Sequence, residues 1–212
     1  NDGEEYEILF PPQKTPNVTA RFQVIVRLKQ GRNVIKLFNP VTSNADSEMY
    51  QYIRMGKALQ KATAKVAKER KQKEKPIVFS ICEWGWGKPY NWGAKAGNLW
   101  RTTPDIRPWW WWIKLIYEHT VKLYKYASKG HYNDPDMLEV GNGKLSYNQN
   151  VSHFSLWCMM NAPLILGNDL RNMSDQVKSI VTNRNMIAIN QDSLAKQAKR
   201  VRKGAVDVLA KP

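Results

Sequence analysis

The sequence predicts an α/β fold built around a parallel β-sheet. Between residues 47 and 181, helical patterns alternate four times with short, mainly apolar runs. Such runs, flanked by charged residues or glycine, are typical of parallel strands that are buried on both faces. The helical patterns between them are long enough to serve as the crossovers that join parallel strands. An apolar content of 42% in 212 residues supports a core large enough for this fold.

The first 45 residues do not follow this alternation. Residues 21–28 and 33–38 alternate apolar and polar side chains across a turn that contains Gly31, which predicts a β-hairpin. Prolines on both sides of the hairpin indicate loops. Because two strands alone are barely stable, we interpret residues 1–45 as part of a small β module or insert whose other strands lie outside this sequence.

The α/β pattern occupies residues 46–192. Asp46 or Ser47 is a suitable N-cap for its first helix. The predicted helices cover residues 47–70, 92–97, 109–126, 147–161 and 174–181, and the predicted strands cover residues 76–81, 99–103, 134–138 and 162–167.

The charge distribution bears on possible partners. The formal net charge is +15, and lysines are concentrated in residues 57–75. Alanine and valine recur between these lysines at helical spacing, which is typical of the solvated face of an outer helix. No helix-turn-helix, zinc-finger or single-strand-binding signature accompanies them, so we predict no nucleic-acid partner. No apolar run approaches the roughly 18 residues of a membrane span, so we also predict no membrane partner.

The sequence offers little for a metal or a disulfide framework. Cys82 and Cys158 allow at most one bridge, and Cys158 is expected to be a buried, small apolar residue of a helix. The three histidines, His119, His131 and His153, lack the spacing of metal ligands. We therefore predict neither a metal nor an organic cofactor.

Acidic side chains follow successive apolar runs. Glu83, Asp105, Asp134 and Asp136 all fall near predicted strand ends. Carboxyl ends of parallel strands meet at one edge of a sheet, and several carboxyl groups gathered there suit the cleavage of sugars. Nine tryptophans and nine tyrosines could stack on sugar rings, although core packing explains any single aromatic residue equally well.

Five motifs in order strengthen this interpretation. They are residues 82–85 (Cys-Glu-Trp-Gly), 98–105 (Asn-Leu-Trp-Arg-Thr-Thr-Pro-Asp), 133–138 (Asn-Asp-Pro-Asp-Met-Leu), 162–164 (Ala-Pro-Leu) and 187–192 (Ile-Ala-Ile-Asn-Gln-Asp). Together they resemble the second half of the α-galactosidases of glycoside hydrolase family 27, over roughly residues 46–200.

The resemblance implies a fold. The family has a (β/α)8 TIM barrel with its active site at the carboxyl ends of the strands, followed by a β-sandwich. The chain would then supply the C-terminal half of the barrel, with the four predicted strands as strands 5–8. Residues 193–212 would be a linker and the start of a truncated sandwich. We expect a secreted or periplasmic location, or a lysosomal one in a eukaryote.

The resemblance also implies site residues. Retaining glycosidases use two carboxyl groups about 5 Å apart, and Asp105 matches the acid/base. Arg101 would bind sugar hydroxyls and influence the pKa of nearby carboxyl groups. Glu83 matches the position that contacts the 2-hydroxyl and favours galactose, and Trp84 would form a wall of the same pocket. Structural alternatives are a helix cap for Asp105, an ion pair for Arg101 or Glu83, and core packing for Trp84.

The 133–138 motif would supply the remaining contacts. By resemblance, Asp136 hydrogen-bonds sugar hydroxyls, and Met137 lines the pocket beside it, with core packing a close alternative. Asp134 is expected to hold the loop rather than to act in catalysis.

Several features depart from the family pattern. The family nucleophile lies in a Lys-Tyr-Asp type motif, which these 212 residues lack. The remaining half of the barrel would therefore come from the same or another chain, and the substrate would be an α-galactoside. The alternatives are a catalytically incomplete sugar-binding barrel or a related pyranosidase, such as an α-N-acetylgalactosaminidase or a β-L-arabinopyranosidase.

Two further departures concern single positions. Many relatives have a cysteine bridged to the equivalent of Cys82, but Gly97 stands there, so that disulfide is not expected. Four consecutive tryptophans at residues 109–112 are unusual for the family. They either cap the barrel or form an additional contact surface.

Overall fold

The computed structural model describes the backbone of residues 44–212 and the side chains from residue 48 onward. The hairpin predicted over residues 21–38 lies outside this part of the chain. The helices are α1 (Asn44–Glu69), α2 (Trp110–Thr120), α3 (Tyr147–Met159), α4 (Asp175–Val181) and α5 (Arg184–Asn190). The strands are β1 (Ser80–Ile81), β2 (Leu99–Arg101), β3 (Tyr132–Asp134), β4 (Lys199–Arg202) and β5 (Val208–Ala210).

Strands β1, β2 and β3 form one parallel sheet in that order, which confirms the predicted α/β architecture. Trp100 in the central strand pairs with Ile81 on one side and Asn133 on the other. Because the strands run parallel, the loops that leave their carboxyl ends lie along one edge of the sheet. All the predicted site residues lie at the carboxyl end of one of these strands or in the loop that follows it.

The helices agree with the sequence pattern more closely than the strands do. Helix α1 begins at Asn44, so it starts before the predicted N-cap positions. A 3₁₀ helix over Val121–Tyr126 continues α2 to the predicted end at residue 126, and the helix predicted over residues 92–97 is a single 3₁₀ turn, Gly93–Lys95. Helix α5 was not predicted, and it begins where Asn183 accepts a hydrogen bond from a backbone N–H.

The fourth predicted strand, over residues 162–167, is wrong. This segment forms only an isolated parallel bridge between Leu138 and Leu166. The bridge rests on two backbone hydrogen bonds, from Leu138 to the carbonyl of Ile165 and from Gly167 to the carbonyl of Leu138. Pro163 has no N–H, so the first half of the run cannot continue a ladder.

The other three strands are shorter than predicted, and β2 ends at Arg101 instead of residue 103. Ile77 and Val78 are exposed, so β1 is limited to the last two residues of its apolar run. The third strand covers Tyr132–Asp134, so it ends at the first residue of the segment predicted for it, residues 134–138. Pro135 cannot donate to a ladder, and Asp136 has a φ of 84°, which is incompatible with a strand.

The larger core lies between α2, α3 and the segment that follows β3. Its fully buried side chains include Ile113, Leu138, Trp157 and Cys158. Cys158 is therefore buried as predicted, and both it and Cys82 are free thiols.

A second, smaller core lies under α1. Ile81, Trp92 and Trp100 are buried there, and residues of α1 pack against them. The approach is close at Gly56, where an added Cβ would meet the backbone oxygen of Ala96 at 2.0 Å. Glycine at this position lets α1 lie directly against the 92–97 turn, and this contact sets the distance between α1 and the edge of the sheet.

Strands β4 and β5 form an antiparallel hairpin that docks on α2. The Arg200 guanidinium lies 2.8 Å from Glu118 and 2.9 Å from Asp207, and the Tyr117 hydroxyl donates to Asp207 at 3.0 Å. Leu209 packs against the larger core. No helix of the described residues is long and apolar enough to cross a membrane.

Candidate active site

A buried guanidinium joins two of the predicted carboxylates at the edge of the sheet. Arg101 closes β2, and its Nη2 lies 2.7 Å from Oδ2 of Asp136 and 3.2 Å from Oδ1 of Asp105. The side chain of Arg101 is 10% exposed and that of Asp136 is 14% exposed, whereas that of Asp105 is 58% exposed. The arrangement is thus one fixed, buried ion pair with a second carboxylate that is open to a ligand.

Backbone groups hold Asp136 in one orientation. Its Oδ1 accepts from the N–H of Met137 at 2.7 Å, and its Oδ2 accepts from the N–H of Ile106 at 2.8 Å. The Trp157 indole donates to its carbonyl oxygen at 2.8 Å. These bonds offset the cost of a φ of 84°, which a residue with a side chain rarely adopts. The loops after β2 and β3 are therefore tied together through one carboxylate.

Asp134 supports the same turn from below. It is buried, and its Oδ1 accepts from the backbone N–H of Asp136 at 2.9 Å. Burial raises the pKa of Asp134 from its ordinary value of 3.8 to about 6, although the hydrogen bond from Asp136 and the charge of Arg101 act in the opposite direction. This position fits the expectation that Asp134 holds the loop.

The raised pKa of Asp134 gives a pH-dependent stability. The folded protein binds this proton more tightly than the unfolded chain, so this residue's contribution to the free energy of unfolding falls as pH rises from about 4 to about 6. Asp134→Asn keeps the acceptor oxygen but cannot ionise. We therefore expect the free energy of unfolding of this variant to decrease less than that of the wild type between pH 4 and pH 6. The test is urea unfolding of both proteins from pH 4 to pH 7. A constant difference in stability between them across this range would contradict the prediction.

Glu83 lies in a separate environment next to α1. It lines a cavity of about 620 Å³ together with Glu48, Tyr52 and Trp84. Burial and the nearby Glu48 carboxyl raise the pKa of Glu83 from its ordinary value of 4.5 to about 7, while the backbone N–H of Gly87 donates to its Oε2 and acts in the opposite direction. Its Oε1 is buried and has no hydrogen-bond partner. Burial and the Glu48 carboxyl thus hold the pKa of this group well above that of an ordinary glutamate.

Trp84 and Met137 occupy different surroundings. Trp84 has a φ of 57°, is partly exposed, and lines both the Glu83 cavity and a neighbouring cavity of about 370 Å³ that also includes Thr103 and Trp112. Met137 is partly buried and packs against the larger core, and its sulfur lies against Gly167. Trp84 is thus a wall between two cavities, whereas the contacts of Met137 are those of a core residue.

The structure brings some of the predicted site residues into direct contact and leaves others apart. Arg101, Asp105 and Asp136 form one group. Among the hydrogen bonds and ion pairs of residues 48–212, none joins Glu83 to that group. Within the same residues there is no cluster of three or more histidine, cysteine, aspartate or glutamate side chains placed to hold a metal ion.

Three supporting residues were missed by the sequence analysis. Trp112 donates its indole N–H to the backbone oxygen of Asp105 at 2.9 Å, Trp157 does the same for Asp136, and Glu48 acts on Glu83. The run of four tryptophans was noted, but nothing in it marked Trp112 as the one that contacts the site. Trp157 and Glu48 lie on helices at ordinary positions, so no local signal distinguishes them.

The fold and site define a class of protein, one with a parallel α/β sheet that carries carboxylates and an arginine at its strand ends, as sugar-cleaving barrels do. A family model described as alpha galactosidase A matches residues 30–192. The chain belongs to this α-galactosidase family.

Individual relatives agree with this assignment. The chain is 45% identical over 150 residues to α-galactosidase A of Cellvibrio japonicus, which covers 65% of this chain and 37% of that protein. It is 43% identical over 149 residues to α-galactosidase 2 of Arabidopsis thaliana, which covers 70% of this chain and 38% of that protein. The chain therefore spans less than half the length of these curated relatives.

Solved structures show the same relationship in three dimensions. α-Galactosidase I from Mortierella vinacea superposes with a TM-score of 0.69 at 29% identity, covering 79% of this chain and 45% of that one. An α-galactosidase from Saccharomyces cerevisiae with raffinose superposes with a TM-score of 0.64 at 29% identity, covering 77% of this chain and 39% of that one. These neighbours are TIM-barrel proteins, and this chain has the same fold as the part of each neighbour that it aligns with.

Proposed function

We propose that the protein is a retaining α-galactosidase that releases terminal α-linked galactose, and that this chain supplies the acid/base side of its active site. The observation that carries the proposal is the open carboxylate of Asp105, held 3.2 Å from a buried arginine that is paired with Asp136. The names of the relatives support the substrate class, and one solved neighbour contains raffinose, an α-galactoside.

Asp105 is assigned the proton transfers. In the first step it donates a proton to the glycosidic oxygen as the bond to the anomeric carbon breaks. In the second step its carboxylate takes a proton from the water that attacks the galactosyl–enzyme intermediate. Its exposure leaves the outer oxygen accessible to a leaving group, while the contact between Oδ1 and Arg101 fixes the orientation of the carboxyl group.

Arg101 and Asp136 are assigned to binding. Both oxygens of Asp136 already accept backbone N–H groups, but a carboxylate oxygen can accept more than one hydrogen bond, so sugar hydroxyls can still donate to it. The Nε of Arg101 is buried without a hydrogen-bond partner. A buried donor without a partner is costly, and a sugar hydroxyl at this position would remove that cost.

Glu83 is assigned to recognition of the galactose 2-hydroxyl, with Trp84 as the wall beside it. Its buried Oε1 has no donor within hydrogen-bond distance, so it can accept a hydrogen bond from a sugar hydroxyl. A smaller residue at this position would leave room for an N-acetyl group. Glu83 therefore favours galactose over N-acetylgalactosamine.

The nucleophile belongs to the remaining half of the barrel, which the same or another chain would provide. A retaining site needs a second carboxyl group about 5 Å from Asp105. Asp136 does not fit that role, because its two oxygens are held by Arg101 and by two backbone N–H groups.

The stereochemistry of the product tests the proposal. We expect the full-length protein to release α-galactose first from an aryl α-galactoside, because two displacements at the anomeric carbon restore its configuration. Proton NMR of the anomeric signals during the first minutes distinguishes this product from β-galactose. Initial release of β-galactose would contradict a retaining mechanism.

A sugar-binding protein without hydrolytic activity is the second candidate, and the buried, unpartnered Nε of Arg101 favours it, because a bound sugar hydroxyl would satisfy this donor without any bond being cleaved. This candidate predicts that galactose binds and that aryl α-galactosides are not hydrolysed by the full-length protein. Calorimetric titration with galactose alongside the hydrolysis assay separates the two candidates.

A further inference from the structure

We propose that the exposed indoles of Trp109 and Trp111 form a platform that binds the sugars on the leaving-group side of the cleaved bond. The inference deepens the proposed function and rests on it. It assigns the substrate class as galactose attached to a chain of further neutral sugars, rather than galactose on a small aglycone. We call the two indoles together the indole platform.

The indole platform is an exposed, stacked pair of rings that folding does not use. Trp109 is 52% exposed and Trp111 is 57% exposed. Their ring centroids are 5.7 Å apart with an interplanar angle of 17°, so the two rings are nearly parallel. Their neighbours Trp110 and Trp112 pack against the larger core instead. Because exposed indole area is unfavourable in water, two adjacent exposed indoles indicate a binding surface.

The platform is fixed in position relative to the proposed acid/base. The Trp112 indole donates to the backbone oxygen of Asp105 at 2.9 Å, and its ring contacts the edge of Trp111 with centroids 5.4 Å apart. The backbone N–H of Trp112 donates to the carbonyl of Trp109 at 2.9 Å. The same residue therefore contacts Asp105 and both members of the platform.

The chemistry assigned to Asp105 decides which part of the substrate meets the platform. The acid must reach the glycosidic oxygen, so the departing sugar lies beside Asp105 when the bond breaks. Trp112 links the two places, because its indole donates to the backbone oxygen of Asp105 and its ring contacts Trp111. A chain of sugars that continues from the departing sugar past Trp112 would therefore reach the platform.

The surface chemistry suits neutral carbohydrate. One face of a pyranose ring presents C–H groups with a partial positive charge, and these pack against the negatively charged face of an indole. An indole loses little conformational entropy on binding because only two torsions are fixed. A sugar of the extended chain can thus stack on an outer face of the indole pair without requiring charge.

The test compares two substrates in the full-length protein. One is α-galactosyl fluoride, which has no sugar on the leaving side, and the other is a mannotetraose that carries a single α-linked galactose. For Trp109→Ala with Trp111→Ala we expect KM for the oligosaccharide to rise about tenfold with kcat unchanged. Both constants for the fluoride should stay as in wild type.

Two further variants serve as controls. Leu194→Ala removes an exposed apolar side chain far from the platform. Its neighbour Ala195 lines a cavity with Leu99, at the end of β2 opposite to Arg101. This variant should leave kcat and KM unchanged for both substrates. Trp111→Tyr keeps an aromatic ring and should retain most of the affinity for the oligosaccharide. It also keeps the test valid if the double variant proves unstable.

The outcomes separate the platform from the proposed function. Equal losses on both substrates, or no loss on either, would overturn the platform. If sedimentation shows that the wild type is a dimer and the double variant a monomer, the two indoles form a protein contact and the platform is overturned. If wild type fails to hydrolyse the fluoride, the proposed function fails. Calorimetry with unsubstituted mannotetraose then decides the platform, which stands only if wild type binds it and the double variant binds it more weakly.

Discussion

Replacing Asp105 by alanine is expected to lower turnover of an α-galactoside by about a hundred- to ten-thousand-fold, the usual contribution of a general acid or base. The side chain is open to a ligand, and Arg101 fixes its orientation without burying it. Folding depends little on an exposed carboxylate, so the loss should come from catalysis alone. The measurement is steady-state hydrolysis of an aryl α-galactoside by the full-length variant, with its thermal midpoint recorded in parallel.

The leaving group makes this prediction sharper. A dinitrophenolate departs without protonation, so the variant should still form the galactosyl–enzyme intermediate from dinitrophenyl α-galactoside. Removal of the intermediate remains slow because no base activates water. A burst of dinitrophenolate followed by a slow phase is therefore expected, and added azide, which needs no base, should accelerate the slow phase.

Asp175→Asn is the matched control for Asp105→Ala. It removes an exposed carboxylate from the first turn of α4 and should leave hydrolysis unchanged. Unchanged turnover in the Asp105 variant would contradict the acid/base assignment. A burst without rescue by azide would instead place Asp105 outside the second step.

The sequence predicted those parts of the fold that depend on local pattern. Apolar periodicity located α1 and α3 to within a few residues, and the burial of Cys158 followed from its place on the predicted α3. The bounds of the strands and the fourth strand are where the prediction was wrong, because a short apolar run does not show how far a partner strand extends. Ile77 and Val78 match a buried strand in composition, yet both are exposed.

The candidate site shows the same division between local and long-range information. The motifs placed Arg101, Asp105 and Asp136 near strand ends, and the parallel register then brought the three side chains into contact. The contribution of Glu48 to the pKa of Glu83 spans 35 positions of sequence, and the bond from Trp157 to Asp136 spans 21. Such contacts depend on how helices pack over the sheet edge, which no local pattern specifies.

Replacing Arg101 by methionine is expected to destabilise the protein by about 3 kcal/mol, because it leaves the largely buried Asp136 carboxylate without its cation. Methionine occupies a similar length but cannot donate the bonds to Asp136, Asp105 and the carbonyl of Thr103. The measurement is the free energy of unfolding from urea titration of the full-length variant. Activity should also be lost, since the binding and positioning donors disappear together.

A double-mutant cycle with Asp136→Asn tests the reason for this loss. If the unpaired charge dominates, removing that charge as well should recover part of the stability, and the coupling between the two changes should be about 1–3 kcal/mol. The control is Arg171→Met, which removes the cation of an exposed ion pair with Asp169 and should leave the unfolding midpoint unchanged. Additive effects of the Arg101 and Asp136 changes would show that the two side chains act independently. The proposed joint binding of sugar hydroxyls by this pair would then have to be abandoned, because it depends on the guanidinium and the carboxylate holding each other in place.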